Sequence, residues 1–207
     1  MVTVRFTQAE HRVVTQAVTE AERSTDAEIV TLVAEKSDSY HDVGLHYAVL
    51  GMLLVPALLA ALPQGIVDKG MSLFLGWNAV LTRGALMAFL FVALAMVFLI
   101  VRYALAYMPL RMALTPGSTK TRRVRRRAIE LFRVSAERRT AGRTGVLLYL
   151  SLGEHRAEIL ADEAILPKVA PELWGEAMAD LVLEVKAGRP GAGVAKAVER
   201  IGSVLAQ

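Results

Sequence analysis

Cysteine does not occur among the 207 residues. Its absence excludes a disulfide scaffold, a thiol nucleophile and a Cys-ligated metal, and it leaves the redox compartment open. The usual catalytic signatures are missing as well. No G-x-x-x-x-G-K-[ST], H-E-x-x-H or G-x-S-x-G is present. The glycine-rich stretch Gly188 to Gly193 (GRPGAG) follows a helical pattern rather than a strand, so it reads as a helix-to-helix turn and not as a dinucleotide site. Charge is lacking in one place above all. Gly84 to Val101 (GALMAFLFVALAMVFLIV) carries none over about 18 residues, enough at about 1.5 Å per residue to cross most of a bilayer core.

What is present completes a pair. Gly44 to Leu62 (GLHYAVLGMLLVPALLAAL) is a second apolar run of similar length, with His46 and Tyr47 at one end, where interfacial residues belong, and with a tolerated Pro56 inside. With 54% hydrophobic residues and a mean hydropathy of +0.41, the chain is too short to wrap two wholly apolar helices in a soluble core. A two-helix transmembrane hairpin is expected. Residues 1–43 and 109–207 then form the two parts of one soluble domain of about 140 residues, split by a membrane segment over 44–108. The first 43 residues are polar, with Arg5, Glu10 and Arg12, so no cleavable signal peptide is expected ahead of the first span.

Positive charge sets the expected orientation. The link at 63–83 holds only Lys69 and Arg83, whereas Arg102, Arg111, Lys120, Arg122, Arg123 and Arg125 to Arg127 follow the second span. The link should be external, with Phe74, Leu75, Trp77 and Val80 in the interface, and the N- and C-termini cytoplasmic.

Along the polar parts, Thr7 and Glu10 match a capping box, and Val13, Val14, Ala17, Val18 and Ala21 make one face of a helix running to about Arg23. Glu28 to Ala34 (EIVTLVA) is a short strand that ends in a polar loop, Lys36 to Asp42. After the turn Thr115 to Ser118, with Ser118 or Thr119 as cap, residues 120–139 (KTRRVRRRAIELFRVSAERR) are helical in pattern. Val124, Ala128, Leu131 and Phe132 form one face of that helix and arginines the other. Between Lys120 and Arg143 ten cations face two glutamates, a net +8 in a chain whose total is +4. Arg122, Arg123, Arg126, Arg127 and Arg133 are expected to form a basic face for anionic headgroups; nucleic acid is the weaker rival, because no aromatic residues are interleaved to stack bases. Gly145 to Ser151 (GVLLYLS) and Arg156 to Ala161 (RAEILA) read as a hairpin whose first strand, apolar at five consecutive positions, is central. Two further helices, Glu172 to Ala187 and Val194 to about Leu205, complete an α/β fold, a small mixed sheet flanked by helices, and Trp174 falls on a core face.

These pieces, AERSTDAEIVTLVAEKSDSY, then ELF and RTGVLLYLSLGEHRAEILADEAI, then WGEAMADLVLEVKAGRPGAGVAKAVERIG, resemble the TPM domain family over essentially all of the soluble part. That family includes thylakoid-lumen and photosystem II repair proteins and a receptor accessory subunit. This chain departs from its usual pattern in a shorter glycine-rich approach to the central strand and in Asp162-Glu163-Ala164 where a glycine follows the hairpin. The resemblance implies either an accessory role or, as for some members, a metal-dependent acid phosphatase. No carboxylate here matches the functional ones of those members residue by residue, so catalysis is not carried over.

The residues alone still offer one constellation. If the strands at 28–34 and 145–151 are parallel neighbours, their carboxyl ends lie together, where open α/β sheets bind ligands. Those ends carry Asp38, His41 and Asp42 on one loop and Glu154 and His155 on the other. Asp38, Asp42 and Glu154 could hold Ca²⁺ or Mg²⁺, both of which take oxygen ligands; the alternative is a set of solvated loop residues. Asp162 and Glu163 belong to the opposite end of the sheet. The expected function is that of a membrane-anchored, non-catalytic accessory or assembly factor for another membrane protein, with the phosphatase as alternative.

Overall fold

The structure, a computed structural model, describes residues 6–25, 27–75, 82–136, 144–165, 169 and 171–206. They fall into two compact units, one built from residues 1–39 and 116–207 and the other from 40–115.

In the first unit, helix α1 (Gln8–Arg23) starts where the capping box places it. Thr7 Oγ1 accepts from the backbone N–H of Glu10 at 3.2 Å, and the Glu10 carboxylate accepts the N–H of Thr7 at 2.7 Å. Val14, Ala17 and Ala21 make its buried stripe. Strands β1 (Glu28–Ala34), β2 (Gly145–Ser151) and β3 (Arg156–Ala161) form one sheet in the order β1-β2-β3. β1 and β2 are parallel, in a register that pairs Glu28 with Gly145 and Ala34 with Ser151; β2 and β3 are antiparallel, pairing Ser151 with Arg156.

β2 is buried at every position because both of its faces are covered. Its side chains alternate between those faces. Val146, Leu148 and Leu150 enter the larger core, which is filled by α1 and by residues of α7 (Pro171–Lys186) and α8 (Pro190–Leu205). Leu147 and Tyr149 meet Val124 and Ala128 of α6 (Gly117–Ala136), with Leu131 and Phe132 packed beside them. The fold is mixed α/β, a small mixed sheet between helical layers.

The expected glycine turn before the last helix is shorter than the sequence suggests. α8 begins at Pro190, which fits the first helical turn because its missing N–H needs no partner there. Gly191 and Gly193 are therefore helical and buried. Their small size serves packing: a Cβ on Gly191 would lie 2.4 Å from Cβ of Glu10, and one on Gly202 would lie 2.6 Å from Cβ of Ala21, so α1 and α8 approach closely. The expected caps Ser118 and Thr119 also lie inside a helix, because α6 already starts at Gly117 behind Pro116. The remainder of the expected basic helix, 137–139, lies outside the described residues.

The second unit sits wholly within the β1-to-β2 connection. It contains α2 (His41–Ala61), α3 (Gln64–Leu75), α4 (Arg83–Ala104) and α5 (Met108–Leu114). α2 and α4, at mean hydropathies of 2.0 and 2.8, are long and apolar enough to cross a membrane, and α4 buries none of its residues. The two pack where α2 is small, at Gly44, Ala48 and Gly51, with Gly44 facing Leu105 and Gly51 facing Val97 and Val101. Leu53, Leu58, Phe91 and Ile100 point outward.

Two helices here were not expected from sequence. α3 occupies much of the 63–83 link, and α5 joins the start of α2 in a small core of Tyr40, Val43 and Met112. The compact units divide between Ser39 and Tyr40 and between Thr115 and Pro116. The interfacial residues named in the link, Trp77 and Val80, lie outside the described residues, as do the side chains of Phe74 and Leu75.

Candidate functional site

The carboxyl ends of β1 and β2 lie side by side, as parallel pairing requires, and the turn after β2 is locked to the exit of β1. Leu152 and Gly153 donate their N–H groups to the carbonyls of Ala34 and Glu35, at 2.9 and 2.8 Å. Gly153 must be glycine for this approach, since a Cβ would fall 2.7 Å from the Glu35 carbonyl oxygen. His155 closes the turn at φ 49, a left-handed backbone.

This turn folds Glu154 inward, to 6% exposure. Its Oε1 accepts the N–H of Ser37 at 2.9 Å, and its Oε2 accepts the hydroxyl of Ser151. A buried carboxylate needs such partners, because an unpaired one would cost several kcal/mol, on the order of 5. Ser37 also reaches Tyr149, with 3.0 Å between the two hydroxyl oxygens. Burial pushes the Tyr149 phenol up, and the Glu154 charge adds to that rise, while the Ser37 hydroxyl and the Arg127 charge oppose it. Tyr149 is therefore neutral and available as a donor or acceptor within the network.

Asp38 is engaged differently. Its Oδ1 accepts the N–H of Ser39 at 2.6 Å. Its Oδ2 forms an ion pair with Arg123 and lies 3.4 Å from NH2 of Arg126. Asp38 and Arg123 are each about one-fifth exposed, so this pair is screened less than the surface pairs. Of the five arginines expected on the basic face, Arg123 is thus turned toward the sheet edge. Arg122, Arg126, Arg127 and Arg133 are exposed, with Glu130 bridging Arg126 and Arg127.

The three carboxylates considered for a metal do not share one compact unit. Asp38 and Glu154 belong to the first, whereas Asp42 lies in the first turn of α2 in the second. There, Asp42 offers its backbone carbonyl to Nδ1 of the exposed His46 at 2.6 Å. His41 also belongs to α2, and its Nδ1 accepts from Arg111 at 3.1 Å. Among the described residues no three His, Asp or Glu side chains converge as a metal cage. Asp162 stands at the other end of the sheet, as expected, where Oδ2 accepts the N–H of Gly145 at 2.8 Å.

Sequence reasoning missed the roles of Ser37, Tyr149 and Ser151, which belong to no recognisable motif. It also missed Arg111 as a buried clamp. Arg111 is 4% exposed, with Nε donating to the Leu105 carbonyl at 2.7 Å and NH2 to that of Ala106 at 3.2 Å. The signal was available, as a lone cation inside the apolar stretch Met108 to Leu114.

Ser151 is fully buried, and its hydroxyl donates to the Glu154 carboxylate. A depression on the α7–α8 side, lined by residues including Leu173, Trp174 and Ile201, is apolar apart from Arg200.

No known protein family and no curated protein matches the chain. One solved structure is similar: the NMR structure of BA42 protein from the psychrophilic bacterium Bizionia argentinensis, with a TM-score of 0.50 and 16% identity, over 97% of this chain and 81% of that one. At that identity the likeness is one of fold.

Proposed function

We propose that this chain is a membrane-anchored TPM-like domain that serves as a non-catalytic accessory or assembly factor for another membrane protein. One observation carries the reading. The carboxylates at the sheet's carboxyl edge, where chemistry would be expected, are engaged by the protein itself: Asp38 by Arg123 and Arg126, Glu154 by Ser37 and Ser151. In this reading α2 and α4 are the two spans, and their outward leucines and phenylalanines face lipid or a partner's helices. The excess of arginine after the second span supports an external link and cytoplasmic termini.

Affinity purification of the full chain from native membranes tests the proposal, and a co-purifying membrane protein in fixed ratio is the expected result. Hydrolysis of a generic phosphomonoester with Ca²⁺ or Mg²⁺, lost with chelator and in Asp38→Ala, would replace it with the phosphatase reading. A reporter active only in the cytoplasm, fused after Gln207, should be active; a silent fusion would reverse the orientation.

A further inference from the structure

We infer that Asp38 is an internal rival for the anion that the basic face of α6 binds, and that this anion is the phosphate of an anionic lipid surface. The inference rests on the membrane-anchored reading above.

Geometry supplies the first part. α6 buries Val124 and Ala128 against the sheet, which turns Arg122, Arg126 and Arg133 to the opposite side of the helix. At 3.6 residues per turn these three fall in one outward stripe. Arg122 and Arg133 make no ion pair among the described residues. The stripe's middle member, Arg126, is shared between Glu130 at 3.8 Å and Asp38 at 3.4 Å, and Asp38 holds Arg123 as well. A single carboxylate therefore pairs with two guanidinium groups, the part-buried Arg123 and the exposed Arg126. An approaching phosphate offers the same chemistry, oxygen acceptors for a forked donor, and competes for them.

Continuity of the chain argues for lipid rather than nucleic acid. The second unit ends at Thr115, α6 starts at Gly117 and its first outward arginine is Arg122, so the basic stripe begins about two helical turns after the segment that carries the two apolar helices. Stacking platforms are also lacking, since the one aromatic residue of α6, Phe132, packs toward the sheet.

The chain has no cysteine of its own, so one probe can be placed cleanly. Val134→Cys, at an exposed position on α6, is labelled with a polarity-sensitive dye in the full-length protein, reconstituted in nanodiscs of phosphatidylcholine with increasing phosphatidylglycerol. The dye should shift to the blue as phosphatidylglycerol rises, and the shift should fade with salt. Replacing Arg122, Arg126 and Arg133 by Gln should weaken the response by about fivefold per arginine. Asp38→Asn should lower the phosphatidylglycerol fraction needed for half the shift severalfold. Should Asp38→Asn fail to fold, Glu130→Gln, which unloads Arg126 and Arg127 on the exposed side, is expected to act in the same direction.

A dye response indifferent to phosphatidylglycerol overturns the lipid surface. So does a shift produced by an RNA or DNA oligonucleotide in pure phosphatidylcholine discs and absent with phosphatidylglycerol. Tightening by Glu130→Gln without any by a folded Asp38→Asn overturns the rivalry. Alkaline carbonate extraction separates these failures from failure of the membrane reading itself: a chain that is washed off membranes refutes the anchor, whereas a retained chain with an unresponsive probe refutes only the docking.

Discussion

Two apolar runs in this molecule have opposite fates. β2 buries every one of its seven residues, while α4, more than three times as long, buries none. Composition alone does not separate them, since both are rich in leucine and valine. The difference is in what covers them. β2 lies between two other strands and beneath helices on both faces, so its apolar surface is removed from water by the protein itself. Among the described residues α4 packs along the small-residue seam of α2 and buries none of its own residues. An apolar run therefore states a demand for burial, and the partners within the fold decide whether the protein or a bilayer meets it.

The largest effect expected is in β2. Leu148→Ala should destabilise the first unit by about 2–5 kcal/mol, because the lost methyl groups leave a cavity in a strand held on both faces. Denaturant unfolding of the full-length protein in detergent checks this.

Next comes Phe91→Arg in α4, at a position 72% exposed. In the proposed membrane-anchored reading it lies near the middle of α4 and should cost about 3 kcal/mol in a membrane-insertion assay. Leu183→Arg in α7, at a similar exposure, is the control and should stay within about 0.5 kcal/mol of wild type. Equal behaviour of the two would break the comparison, since α4 would then be an ordinary wet surface.

A smaller effect sharpens the account of the first unit. Thr7→Ala removes the cap of α1 and should cost about 0.5–2 kcal/mol. The linked carboxylate adds a pH signature. Burial pushes Glu10 upward, but the N–H groups of Thr7 and Gly191, the Thr7 hydroxyl and His11 together outweigh it and hold the carboxyl below its ordinary value. Its contribution is present above the ordinary glutamate value and is lost as pH falls through the lowered one. Thermal melts across that acid window should flatten in Glu10→Gln.

The smallest effect has the opposite sign. Burial pushes Glu158 up, against the charges of Arg125 and Arg156. The folded state then holds its proton longer than the unfolded chain does, so stability falls as pH rises from the ordinary glutamate value through the raised one. Glu158→Gln should remove that fall and leave the melting temperature at neutral pH slightly higher. A lower one would mean that the charge is needed by its arginines.

Much of the fold is legible in the chain because its signals are local. The capping box at Thr7 and Glu10, the β-branched residues of β1 and the five apolar residues of β2 each follow from short-range geometry, and their boundaries in the structure match the expected ones. α5 and the early start of α8 escaped notice for a physical reason. The first is a seven-residue helix held by the buried Arg111 and a small shared core, and the second uses glycines as helix-packing residues rather than as a turn. Neither use leaves a periodic trace.

The candidate site divides along the same line. The condition that the two strands run parallel placed Asp38 and Glu154 near each other, because parallel strands bring their carboxyl ends together. Which oxygen met which donor could not be read there, since Arg123 is 85 residues from Asp38, and Ser37 is 117 from Glu154. The sequence by itself determined the two apolar helices, the β2–β3 hairpin signal and the excess of arginine, all set by composition and local pattern. Only the tertiary structure decided that the acids are consumed within the protein while the outer arginines stay exposed. Long-range electrostatic pairing depends on how faces are turned, and the order of residues along a chain does not contain that rotation until the core has packed.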